Sequence, residues 1–178
     1  NLVDEVWGTE RPPMPSGQVR VHSEDVAGAT AGEKIQALRE KIAAAGADMM
    51  LVSALDDVCY LLNIRGADIA HNPVAMSYAL VEQVPEGSPG RNVTTLFIDA
   101  SKLSEETVAH LEANGVSTAP YEDIATALHA HVEAAKKVLV DEQNVNFGLT
   151  SMIPPPQRVN CPSPVSAAKA RKNDAEVR

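Results

Sequence analysis

The sequence predicts an α/β domain in which helices flank a mixed β-sheet. Three observations carry that expectation. Apolar residues recur at helical spacing in three segments: Ile35/Leu38/Ile42, Val108/Leu111 and Ile124/Leu128/Val132. A short strand-length run follows directly after each of these helices. The resulting order is helix, strand, strand, strand, helix, strand, helix, strand, which places helices against a sheet.

The elements follow in chain order. Residues 1–29 begin "NLVDEVWGTERPPMP" and read as an extended, semi-rigid linker. The residues before each Pro are pushed out of the helical region, and Trp7 is expected to pin the segment as its one aromatic anchor. Thr30 with Glu33 three residues on forms a capping box and starts the first helix. Gly46 stops it at the C′ position. "DMMLVSA", 48–54, is then a buried strand. "DDVCYLLNI", 56–64, is either a strand or a tight helical turn. "AMSYALVEQ" is a strand, and "PEGSPG", 85–90, is a turn-rich loop.

"NVTTLFIDA" alternates, with Thr94, Leu96 and Ile98 on one face and Phe97 on the other. Ser104 caps the second helix and Asn114-Gly115 ends it. "VSTAPY" is a short strand, residues 121–133 a helix and "KKVLVDEQ" a strand. "FGLTSMIPPPQRVNCPSP" reads as loop with one helical turn, and "VSAAKARKNDAEVR" as the start of a basic, Ala-rich helix.

With 178 residues the chain fits one large domain or one domain with appendages and can bury a core without a metal or disulfide staple. The net charge of −9 repels phosphate, so nucleic acid and anionic membrane are poor partners. No apolar run approaches the ~20 residues that span a bilayer. These residues read as carrying no secretory signal, and a cytoplasmic setting is expected. Without an initiator Met, the chain reads as a fragment or a processed product. Cys59 and Cys161 are read as incidental free thiols. The Asn92-Val93-Thr94 sequon is read as chance.

Few motifs for chemistry survive inspection. "GATAGEK", 28–34, lacks the spacing and the preceding strand of a phosphate loop, and Glu33 already belongs to the capping box. His129 and His131 are two apart on a helix and point in different directions. His22, His71 and His110 are no closer to a zinc motif. Asp56 and Asp57 are adjacent and form no evident dyad. There is no nucleophile elbow. No metal or cofactor is expected within this chain.

"RGADIAHNPVAMSYALV", 65–81, is different. Arg65, Asp68, His71 and Asn72 crowd around Gly66, with Pro73 directly behind. Arg65 is a planar donor suited to carboxylates. Gly66 can take a positive φ, and Asp68, His71 and Asn72 can bond local backbone. Two readings stay open at this point. The corner is either an Arg65–Asp68 pair that locks a loop, or a binding edge that faces something outside the chain.

A wider stretch around it, "ALDDVCYLLNIRGADIAHNPVAMSYALV", 54–81, resembles the middle domain of the large Xaa-Pro aminopeptidases, aminopeptidase P. The Arg-Gly-x-Asp corner and the Asn-Pro-Val turn occur there in this order. "NLVDEVWGTERPPMP" is similar to the connector that leaves the family's first domain, and "TTLFIDASKL" to its next strand and loop. "PSPVSAAKARKNDAEVR" is similar to its crossing into the catalytic domain. Tyr60 stands where many relatives have Trp, and Ala75-Met76 replaces an aromatic pair.

The resemblance implies a creatinase/prolidase N-terminal-like fold. It implies a linker at 1–29, a middle domain at 30–164 and the start of a connection at 165–178. It also implies a non-catalytic role beside a catalytic domain holding two metal ions, usually Mn2+. Arg65, Asp68, His71 and Asn72 become candidates for the wall of a cleft that takes peptides with proline second. The implied partners are the catalytic and preceding domains and, for the parent, a second copy. A stand-alone peptide- or protein-binding module without hydrolase activity is the alternative.

Overall fold

The computed structural model describes residues 2–83 and 93–177. The predicted turn at 85–90 and Asn92 of the sequon lie outside the described residues.

The helices are α1 (Leu2–Trp7), α2 (Glu24–Ala27), α3 (Ala31–Ala44), α4 (Leu55–Leu61), α5 (Glu105–Ala113), α6 (Ile124–Glu133), α7 (Phe147–Ser151), α8 (Pro164–Ala170) and α9 (Asp174–Val177). The strands are β1 (Arg20–Val21), β2 (Met49–Val52), β3 (Ile64–Arg65), β4 (Tyr78–Glu82), β5 (Thr94–Phe97), β6 (Val116–Ala119), β7 (Val138–Val140) and β8 (Arg158–Asn160).

Six strands form a mixed sheet in the order β6-β5-β4-β2-β7-β8. Strand β4 runs antiparallel to both of its neighbours, while β5–β6, β2–β7 and β7–β8 are parallel pairs. Strands β1 and β3 form a separate antiparallel ribbon in which Arg20 faces Arg65 and Val21 faces Ile64.

Helices cover both faces of the large sheet, and the period of two along each strand decides what each face buries. Met50 and Val52 of β2, Ala79 and Val81 of β4, and Leu96 of β5 pack with Ile35, Leu38, Ile42, Val58, Leu111 and Val165. Met49, Leu51, Leu80 and Phe97 point the other way, onto Ile124, Leu128, Leu149 and Ile153. With both faces covered, the central strands are continuously apolar. The expected split of Leu96 and Ile98 from Phe97 is present.

Local signals hold where they were strong. Thr30 Oγ1 accepts from the Glu33 N–H at 3.1 Å, and Glu33 Oε2 accepts from the Thr30 N–H at 2.8 Å. Gly46 is left-handed with φ +67°. Ser104 caps α5 through the Thr107 N–H. Both cysteines are free thiols.

Three expectations change. Residues 2–7 form a helix rather than extended chain, because the backbone restriction of Pro12, Pro13 and Pro15 acts only on their immediate neighbours. Trp7 is 49% exposed and does not anchor the segment within this chain. Of the two states left open for 56–64, the helical one is taken: residues 55–61 are helix α4, with strand β3 starting only at Ile64. Residues 158–160, read as loop, are the edge strand β8. That strand has one apolar residue, so no periodicity could reveal it; its pairing to β7 holds it.

Among the described residues no helix is long and apolar enough to cross a membrane.

Candidate functional site

The polar corner joins β3 to β4. Its tightness comes from glycine, though not through a positive φ. A Cβ on Gly66 would lie 2.6 Å from the Val74 carbonyl oxygen and 2.7 Å from Ala75 N. The left-handed residue is instead His71, with φ +63°, in the turn closed by the Asn72 N–H on the Ile69 carbonyl. A Gly66→Ala substitution must force main chain apart, and is expected to lower stability by about 1–3 kcal/mol in urea unfolding. A loss below about 0.5 kcal/mol would show that the corner yields freely.

Asp68 is the pin of the corner. Its side chain is 0% exposed. Oδ1 accepts from the Gly17 N–H at 2.9 Å, and Oδ2 accepts from the Met76 N–H at 2.6 Å. Lys102 Nζ, 3% exposed, reaches Oδ2 at 2.7 Å. The expected Arg65–Asp68 pair is therefore replaced by an Asp68–Lys102 pair. Asp68 is turned inward and ties the corner to the N-terminal segment and to the residues after β5. One carboxylate with two backbone donors and one ammonium is a satisfied buried charge.

Arg65 is half-buried beside the corner. Its Nη1 donates to the carbonyls of Cys59 at 3.2 Å and Ile64 at 2.8 Å. His71 and Asn72 are exposed. Arg65 and Asn72 line a common depression of about 190 Å³, completed by Asp56, Cys59, Tyr60, Pro73, Val74, Lys169, Lys172 and Glu176. The four predicted residues thus divide three ways. Arg65 and Asn72 share the depression, Asp68 holds the loop from inside, and His71 sits at the turn.

The helix that borders this depression, α8, was expected from the Ala-rich stretch, but sequence reasoning missed its pairing with Asp56 and Asp57. Asp57, 1% exposed, accepts from Ser163 Oγ at 2.6 Å, from Ser166 Oγ at 2.7 Å, and from Lys169 Nζ at 2.7 Å. Lys169 also pairs with Asp56. Burial alone would lower the Lys169 pKa, but its bonds to Asp56 and Asp57 raise it, and the Lys169 bond holds the Asp56 carboxyl below its usual range. The signal was present: Ser163, Ser166 and Lys169 recur every three residues through an Ala-rich stretch, which puts them on one helical face. It was not read as a partner for "DD" at 56–57, because 106 residues separate them.

A second cation sits close by. Lys34 Nζ lies 4.0 Å from the centroid of the Tyr60 ring and donates to Asn63 Oδ1 at 2.7 Å and to the Tyr60 carbonyl at 3.2 Å. Burial first, then the Arg65 and Lys172 charges, push its pKa down to about 8, against an opposing pull from Glu176. Its folded pKa lies below the ordinary value of about 10.4. Between these values the unfolded chain holds the proton and the folded chain does not. The Lys34 contribution to stability therefore rises with pH from about 8 upward. Nitrogen-detected NMR of the Lys34 ammonium is expected to show a midpoint near 8; a midpoint above 10 would remove the effect.

His22 is held below its ordinary pKa by burial and then by Arg65, Lys34 and Arg20. His129 and His131 face different carboxylates, Glu133 and Glu82, as their spacing requires. Among the described residues no group of three or more His, Cys, Asp or Glu is placed to hold a metal ion.

The profile of the Creatinase/Prolidase N-terminal domain matches residues 10–176. The chain belongs to this family. Its relatives carry peptidase names. Aminopeptidase P2 of Arabidopsis thaliana is 30% identical over all of this chain and 28% of that protein. The Drosophila melanogaster Xaa-Pro aminopeptidase is 33% identical over 99% of this chain and 28% of that protein. The crystal structure of X-prolyl aminopeptidase from Caenorhabditis elegans, described as a cytosolic enzyme with a di-nuclear active site, superposes with a TM-score of 0.88. That match has 35% identity and covers 99% of this chain and 28% of that one. This creatinase/prolidase N-terminal domain therefore spans little more than a quarter of the relatives it matches. The resemblance and the mixed sheet flanked by helices both agree with the family.

Proposed function

We propose that this creatinase/prolidase N-terminal domain is a non-catalytic part of an Xaa-Pro aminopeptidase. The whole protein would remove the N-terminal residue from peptides with proline second. The single observation that carries this reading is the superposition, at TM-score 0.88, on 28% of an X-prolyl aminopeptidase chain. The described residues do not fit a dinuclear centre, since their acidic and histidine side chains are dispersed. The two metal ions, Mn2+ in our reading, are assigned to residues of the catalytic domain.

Within that protein the linker is residues 1–29, the middle domain 30–164 and the connection from 165. The corner faces the cleft. Arg65, His71 and Asn72 form its wall, and Asp68 fixes the wall from behind. The protein works in the cytoplasm, as a pair of copies, without nucleic acid or membrane as partner.

The test compares this chain with the whole protein on an Xaa-Pro tripeptide. Release of the first residue is expected only from the whole protein, lost with a chelator and restored by Mn2+. Turnover by this chain alone would overturn the reading. His71→Ala and Asn72→Ala in the whole protein are expected to raise KM severalfold. Both side chains are exposed and make no internal hydrogen bond among the described residues. Their effect on urea stability is expected to stay within about 0.5 kcal/mol. An unchanged KM in both variants would remove the corner from the cleft.

A further inference from the structure

The charge around Arg65 is out of balance. The chain as a whole is acidic, with net charge −9, yet this corner gathers cations. Arg20 faces Arg65 directly across the β1–β3 ribbon. Lys172 lines the same depression as Arg65, and Lys34 lies against Tyr60 at its edge. Two carboxylates line the depression as well, Asp56 and Glu176, and Glu176 offsets part of the charge on Arg65 and Lys34. Asp56 pairs with Lys169. Glu176 Oε2 accepts from the Asn173 N–H at 3.1 Å, closing the cap of its own helix α9. Among the described residues Lys172 Nζ donates to the Lys169 carbonyl alone, at 2.7 Å.

Arg65 itself has two carbonyl acceptors, both on Nη1. Its Nε and Nη2 N–H groups have no acceptor among the described residues. These two groups form the edge of a guanidinium that takes a carboxylate in bidentate fashion. They are not among the buried polar atoms that lack a partner, so solvent and a ligand can reach them. A half-buried guanidinium that faces Arg20 and shares its depression with Lys172, offset in part by Glu176, gains from the arrival of an anion. The depression, at about 190 Å³, has room for one terminal carboxylate and a few neighbouring atoms.

We propose that the Arg65 depression binds the free C-terminal carboxylate of a short peptide, held by Arg65 Nε and Nη2 with Lys172 and Asn72 beside it. The inference rests on the peptidase reading above and names its substrate class: short peptides with an unblocked C-terminus. Distance from the depression to the scissile bond then sets a preferred length.

The test titrates this chain with Ala-Pro-Ala and with its C-terminal amide, following amide shifts of Gly66 and Asn72 by NMR. Acetate serves as a minimal probe for the same shifts. The free acid is expected to bind at least tenfold more tightly than the amide, with acetate moving the same signals weakly. Arg65→Gln is expected to abolish the shifts, and Lys172→Gln to weaken binding about threefold. Lys172 is exposed and its one side-chain bond among the described residues is to a carbonyl, so its variant folds and decides the case if Arg65→Gln does not. Equal binding of acid and amide, no binding of either, or full affinity in Lys172→Gln would each overturn the proposal. A chain that ignores both peptides leaves the peptidase reading intact, because that reading is decided by turnover in the whole protein.

Discussion

An Asp68→Asn chain is expected to lose about 3–5 kcal/mol of stability in urea, the range seen when one partner of a buried ion pair is removed. Lys102, 3% exposed, would then lose its one bonded carboxylate and retain only the exposed Asp99 nearby. The amide cannot replace the carboxylate even as a hydrogen-bond partner. Asp68 accepts from donors on both oxygens: Gly17 N–H on one, Met76 N–H and Lys102 on the other. Asn has one oxygen, so one of these donors must face its NH2 group. Adding Lys102→Met to Asp68→Asn removes the stranded charge. The double variant is expected to recover at least 1 kcal/mol relative to additivity. A loss below about 1 kcal/mol in Asp68→Asn, or strict additivity in the double variant, would mean that the pin does not hold the corner.

Asp57→Asn has the second largest expected effect, about 2–4 kcal/mol, and it is local in character. Asp57 takes hydrogen bonds from Ser163, Ser166 and Lys169, all on the face of α8 that packs against α4. Bonds to a charged acceptor contribute about 1.5–3 kcal/mol each, and they act as one network, so their loss is not additive. Lys169 still has Asp56, which limits the damage. Hydrogen exchange is expected to quicken across Pro164–Ala170 well before β2 or β7 responds. Equal protection of α8 in the variant and the parent chain would show that apolar seating of Val165 alone keeps the helix in place. Because α8 and the residues after it border the Arg65 depression, loosening it also disturbs that site.

Much of this architecture was legible from residues alone. Helix α3 announces itself through Thr30 and Glu33 at one end, Gly46 at the other, and Ile35, Leu38 and Ile42 between. Each is a short-range signal that needs no knowledge of the rest of the chain. The continuous apolar run of β2 likewise marks a strand covered on both faces. The unclear segments were those whose state depends on a distant partner. Residues 55–61 are too short for their periodicity to choose between helix and strand. Strand β8 exists because β7 offers it a ladder. The corner residues stood out at once, because so many polar groups around one glycine call for explanation.

What the corner residues do was not legible. Nearness along the chain suggested Arg65 for Asp68, but the chosen partner is Lys102, 34 positions away. Asp57 finds Lys169 across 112 positions. The sequence by itself determined the long helices, the apolar strands they flank and the family, because periodicity, caps and motif order are written within a few residues of one another. Only the tertiary structure decided which charges neutralise one another and which are left facing outward. Coulomb attraction and burial depend on distance through space, and that distance is set by the sheet's strand order, not by position in the chain.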